Sequence, residues 1–108
     1  MAMYLLQVSY TSAAMAALIA NPQDRAKAVG AVIKKLGGKL EGLWFAFGEY
    51  DVVGLADMPD NVSAAAFSMA IGAGGACSKF TTTPLMSIAD GIAAMKKAAG
   101  SGYKPMTQ

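Results

Sequence analysis

The chain has no histidine among its 108 residues and a single cysteine, Cys77. The first absence removes the commonest general base and the commonest metal ligand. The second forbids an internal disulfide and fits a reducing, cytoplasmic setting. Neither a metal nor a cofactor is therefore expected. Charge is scarce too. Only 15% of residues are charged, against about 25% in ordinary soluble domains. The net charge of +2 is too small to suggest nucleic acid as a partner. Lys27, Lys34, Lys35 and Lys39 form the one basic cluster, and most of it fits the outer face of a helix. Residues 1–23 carry no charge at all. They lack the basic start of a targeting segment, and Gln7, Ser9, Thr11 and Ser12 interrupt their apolar run, so they are read as folded structure. The other uncharged stretch, Asn61 to Ser78, is too rich in Ala, Gly and Ser for a membrane span.

What the chain has in abundance is apolar side chains, 55% of the total. A domain this small exposes much of its surface, so part of that surface must be apolar. Large apolar patches mark interfaces, and a homo-oligomer, a dimer or larger, is expected. The length suits one domain, 1–99, with a flexible tail at 100–108.

"MYLLQVSY", Met3 to Tyr10, is rich in strand formers, with Leu6 and Val8 on one face and Gln7 and Ser9 on the other. Thr11 or Ser12 can cap a helix through "AAMAALIA". Pro22 suits the first position of a second helix. In that helix Ala26, Val29, Ile33 and Leu36 form an inward stripe, and Gly37-Gly38 ends it. Lys39–Phe47 and Asp51–Met58 read as two strands joined by a short hairpin connection. If the first of these alternates strictly, Leu43, Phe45 and Phe47 share one face, and Leu40, Trp44 and Ala46 the other. Asp60 or Asn61 can cap a small-residue helix, "CSKFTTTPLM" holds a fourth strand, and "SIADGIAAMKKAA" is a last helix. The glycine run Gly72 to Gly75 follows a helix and precedes a strand, the wrong context for a phosphate loop.

The order β-α-β-β-α-β plus a terminal helix predicts an α+β, ferredoxin-like fold with an antiparallel four-stranded sheet. Helices should cover one face. The other is too apolar for water, and a second subunit would cover it.

The chemistry-bearing stretch is Gly48-Glu49-Tyr50-Asp51. Gly48 can supply a positive φ, and Asp51 can accept hydrogen bonds from backbone amides, which is a turn's need. Tyr50 can pack its ring and donate through its hydroxyl, to the fold or to a ligand. Glu49 and Asp51 point in opposite directions along an extended chain, which weakens them as a catalytic pair. Arg25 sits at the edge of the inward stripe, where a guanidinium needs a carboxylate such as Asp51 or Asp57, or an anionic ligand.

"NPQDR", "KKLGGKL", "FGEYDVV", "MPDN" and the Gly75-to-Thr83 segment, in this order and spacing, resemble the GYD domain family over residues 3 to 86. The resemblance implies a ferredoxin-like subunit in a dimeric α/β-barrel assembly, in a family with no firmly established activity. The same hairpin is similar to a turn in the effector domains of leucine-responsive regulators, which bind amino acids between subunits; the helix-turn-helix of such regulators is missing. The expected function is thus an oligomeric module that binds a small, partly apolar metabolite. Walls would come from Leu5, Trp44 and Phe80, and polar anchors from Gln7, Tyr50 and Arg25, with Gly48 and Asp51 serving the turn. The alternatives are a cofactor-free oxygenase, cyclase or isomerase using Tyr50, Asp51 or Glu49, and a purely structural oligomer.

Overall fold

The computed structural model describes residues 1–106, so the end of the expected tail lies outside the described residues. In chain order it shows β1 (Ala2–Tyr10), α1 (Ser12–Ala20), α2 (Arg25–Lys35), β2 (Lys39–Phe45), β3 (Val52–Met58), α3 (Asn61–Ala73), β4 (Cys77–Pro84) and α4 (Ile88–Ala99). The strands make one sheet in the order β2-β3-β1-β4, and every pairing is antiparallel. This is the α+β, ferredoxin-like arrangement that the element order predicts.

Period-two alternation sorts the side chains of β1. Tyr4, Leu6 and Val8 are buried, while Leu5, Gln7 and Ser9 are only half covered. On β3 the buried set is Val52, Gly54, Ala56 and Met58. Against Tyr4, Leu6, Ala56 and Met58 pack Ile33 of α2 and Ala64 and Phe67 of α3. Phe67 meets Phe80 edge-on, with ring centres 5.8 Å apart. The core is thus one layer, between the sheet and α2–α3. Among the described residues, no helix belongs to the core on the opposite face.

Helix starts follow local chemistry. Thr11, Asp24, Asp60 and Ser87 cap α1, α2, α3 and α4, each accepting a backbone N–H through its side chain. Pro22 lies before α2, not at its first position, because Asp24 provides the cap. Gly37 ends α2 in the left-handed region at φ 89.

Two expectations are corrected here. Gly48 has no positive φ; among glycines of the described residues, Gly37, Gly75 and Gly102 do. Strand β2 also does not alternate strictly. Leu40 pairs with Ala56, Leu43 with Gly54 and Phe45 with Val52, with a register shift between Leu40 and Gly42. This bulge spends one extra residue. Leu40, Leu43 and Phe45 therefore share the helix side, and Trp44 falls on the open side with Val53.

Candidate functional site

The sheet's helix side holds a cavity of about 230 Å³ between β1, β3, α2 and α3. Leu6, Val8, Val29, Phe67, Ile71 and Phe80 make most of its wall, and three polar side chains reach it: Tyr10, Arg25 and Cys77. Their positions follow from the elements. Tyr10 is the last residue of β1, on the same face as Val8. Cys77 pairs with it across the β4 ladder, after a second register shift at Ser9/Tyr10. Arg25 opens α2, one turn before Val29, so its side chain lies at the mouth.

Electrostatics tie the three together. Burial pushes the Tyr10 phenol above its ordinary value, and the Arg25 cation opposes that rise. Burial likewise pushes the Cys77 thiol up, again opposed by Arg25. At neutral pH both groups are protonated and present O–H and S–H donors. The guanidinium hydrogen-bonds Gln23 Oε1 at 3.1 Å. Among the described residues it forms no salt bridge with Asp51 or Asp57, contrary to the ion pair expected for it. It also reaches the Tyr10 hydroxyl, and among the described residues N–H donors remain for other acceptors.

The residues expected to form one pocket are divided by the sheet. Arg25 and Phe80 line the cavity. Leu5, Gln7 and Trp44 belong to the open face, as the strand pairings show. Trp44 also touches a smaller hollow of about 90 Å³ that includes Arg25, Leu43 and Phe45. Gln7 Oε1 accepts from the Thr81 hydroxyl at 3.3 Å. Tyr50 lies beneath Lys79, whose ammonium is 5.2 Å from the ring centre. That lysine pairs with Glu49 at 3.3 Å, an exposed contact of small energetic weight.

Asp51 holds the turn to β1. Its Oδ2 accepts from the Tyr10 N–H at 2.8 Å, and its own N–H donates to the Val8 carbonyl at 2.7 Å. Its carbonyl accepts from Ala46 N–H at 2.8 Å, closing a loop longer than the hairpin expected. The Ser9 hydroxyl adds a bond to the Glu49 carbonyl. Among the described residues, nothing beyond its chain neighbours lies within 4 Å of where a Cβ on Gly48 would stand.

Tyr10 escaped the sequence reading as a cavity residue, although alternation from Leu6 and Val8 places it there. Cys77, taken in the sequence only as a lone thiol that forbids a disulfide, is half-buried and lines the wall. No group of three His, Cys, Asp or Glu stands close enough to hold a metal among the described residues. None of their helices is long and apolar enough to cross a membrane.

A family model described as the GYD domain matches residues 4–95. The match runs nine residues beyond the 86 reached by the motif resemblance, into α4. No curated protein and no solved structure matches the chain.

Proposed function

The chain belongs to the GYD domain family, and from that premise we propose that it is a homo-oligomeric module that binds a small, partly apolar carboxylate in the cavity under α2 and α3. The observation that carries the reading is the Arg25 guanidinium, without a carboxylate partner among the described residues, lining an apolar chamber. The chamber's volume equals that of seven or eight waters, at about 30 Å³ each in the liquid. A short acyl or aryl tail would lie against Leu6, Val29, Phe67 and Phe80. Its carboxylate would face Arg25, with the Tyr10 hydroxyl as a second donor. Two protonated donors suit holding an anion better than attacking a substrate, which favours binding over catalysis.

Association through the open sheet face belongs to the same proposal. Leu5, Val53, Leu55 and Trp44 share that face, and a second copy would cover like with like around a two-fold axis.

The test is calorimetric titration with hexanoate and benzoate, and with hexanamide and benzamide as neutral counterparts. A carboxylate should bind at least about tenfold more tightly than its amide, the weight of a charge-assisted hydrogen bond. Arg25→Met should remove that preference. Equal affinities for acid and amide, or no binding of either acid, would refute the proposal.

A further inference from the structure

We infer that α4 is an arm that docks on a second copy of this chain, in the groove between α3 and β4. The helix is twelve residues long and buries none of them. Ile88, Ile92, Met95 and Ala99 follow i, i+4, i+7, i+11 spacing and form one stripe, with Asp90 and Lys97 on the other side. Ile88 is 83% exposed and Met95 70%. An isolated helix of this length is marginal in water, and an uncovered apolar stripe does nothing to stabilise it.

The arm stands away from its own domain. The radius of gyration is 17.3 Å, against about 13 Å for a compact chain of this length. The longest dimension is 57 Å, against 33 and 22 Å for the others. The longest exceeds the next by 24 Å, and a projecting twelve-residue helix, about 18 Å long, accounts for most of that. Leu85 and Met86 alone separate Pro84, the end of β4, from the capping Ser87. The Leu85 N–H still donates to the Met3 carbonyl at 2.9 Å, so the sheet holds the chain up to the root of the arm.

A receiving surface lies at that root. An open groove of about 410 Å³ runs between α3 and β4, lined by Tyr4, Ala64, Ala65, Met69, Thr82 and Pro84 among others. No charged residue lines it. Ala64 and Ala65 let a second helix approach closely, and Met69, 73% exposed, can lie along its side. The groove opens at Pro84, beside the start of the arm. A two-fold axis near that residue sends each arm into the other chain's groove, the reciprocal contact that a closed dimer requires. The area supports a second copy. At about 150–200 Å² for a fully exposed Leu, Ile or Met, toward the low end of the aromatic range, the apolar residues from Leu85 to Met95 leave about 450–600 Å² of each arm uncovered. Full coverage of both arms would remove about 900–1,200 Å² from water, and the lining of the two grooves adds to it, which reaches the range of specific interfaces. This contact uses the helix side and the β4 edge, so it does not depend on the open sheet face or on the cavity's ligand.

Disulfide trapping tests it. In a Cys77→Ser background, Ile92→Cys is combined with Ala65→Cys or with Met69→Cys, one helical turn further on. Mild oxidation of the dilute protein should convert one or both pairs to a covalent dimer on a non-reducing gel. Lys97→Cys in place of Ile92→Cys, on the opposite side of α4, should link poorly. Adding Ile88→Asp and Met95→Asp should cut the yield at least about tenfold, given the burial lost. A link closed within one chain, equal yields from Lys97→Cys, or no link from either pair would overturn the inference.

Discussion

Two glycines, Gly38 and Gly48, should respond in opposite ways to the same substitution. At Gly38 an added Cβ would stand 2.4 Å from the Asp57 carbonyl oxygen and 2.6 Å from the Met58 sulfur. It would also stand 3.1 Å from Ile33 Cγ2. The methionine can yield, but Asp57 is held in the ladder opposite Lys39. Either β2 or β3 must shift, and overpacking of this kind costs about 1–3 kcal/mol. At Gly48 the space is open and φ is not positive. Gly48→Ala removes freedom from the unfolded chain without strain in the folded one, a gain of about 0.4–1 kcal/mol at compatible sites. For a domain of this size about 1 kcal/mol moves the melting temperature by about 4–8 °C. The two effects add to about 1.4–4 kcal/mol, so Gly38→Ala should melt roughly 6–30 °C below Gly48→Ala. The assay is thermal unfolding followed by circular dichroism at one fixed protein concentration, because self-association shifts the midpoint. A Gly48→Ala variant as destabilised as Gly38→Ala would refute the reasoning, and would return the glycine to the turn role expected from sequence.

Asp51→Ala should cost about 1–3 kcal/mol in urea denaturation, because the Tyr10 N–H loses its acceptor; Asp51→Asn, which keeps an acceptor, should cost less, and equal losses would argue against this bond. Arg25→Met should move the Tyr10 phenol further up, since the guanidinium now opposes the effect of burial; an unchanged or lower titration by ring-carbon NMR would contradict the placement of the cation. The Asp60 carboxyl is held below its ordinary value by its bond to the Ser63 N–H. Its folded value being depressed, its contribution is present at neutral pH and is lost as pH falls below about 3.8 toward the folded value. Asp60→Asn should flatten that acid limb of the stability curve, and an unaltered limb would show the cap to be silent.

Element order, the stripe of α2 and the alternation of β1 and β3 were legible because each follows one period and a local cap or break. The sides of β2 were not. A single extra residue near Glu41 reverses every assignment on one flank of it, and only cross-strand pairing reveals a bulge. The candidate site suffered more. Arg25 and Phe80 line one cavity, yet the sheet divides them from Gln7 and Tyr50. Which polar residues meet depends on register, and register is a property of two strands. The length of the turn was also hidden: Ala46 and Phe47 look like strand, but β2 ends at Phe45 and β3 begins only at Val52.

The bulge at Glu41 has an optical consequence. Behind it the indole of Trp44 lies over Gly42, so close that a Cβ on that glycine would meet the ring at 2.4 Å. This is the chain's one tryptophan, and it is 55% exposed on the open face. Its fluorescence therefore reports from a single place. A solvated indole emits to the red and is quenched freely by iodide, whereas one covered by a second sheet shifts to the blue and is shielded. Diluting the protein while recording emission reads the state of that face directly, with no label attached. Trp44 sits on the edge strand β2, whereas α4 follows β4 at the other edge, so the signal reads the open face and the two contacts can be followed apart.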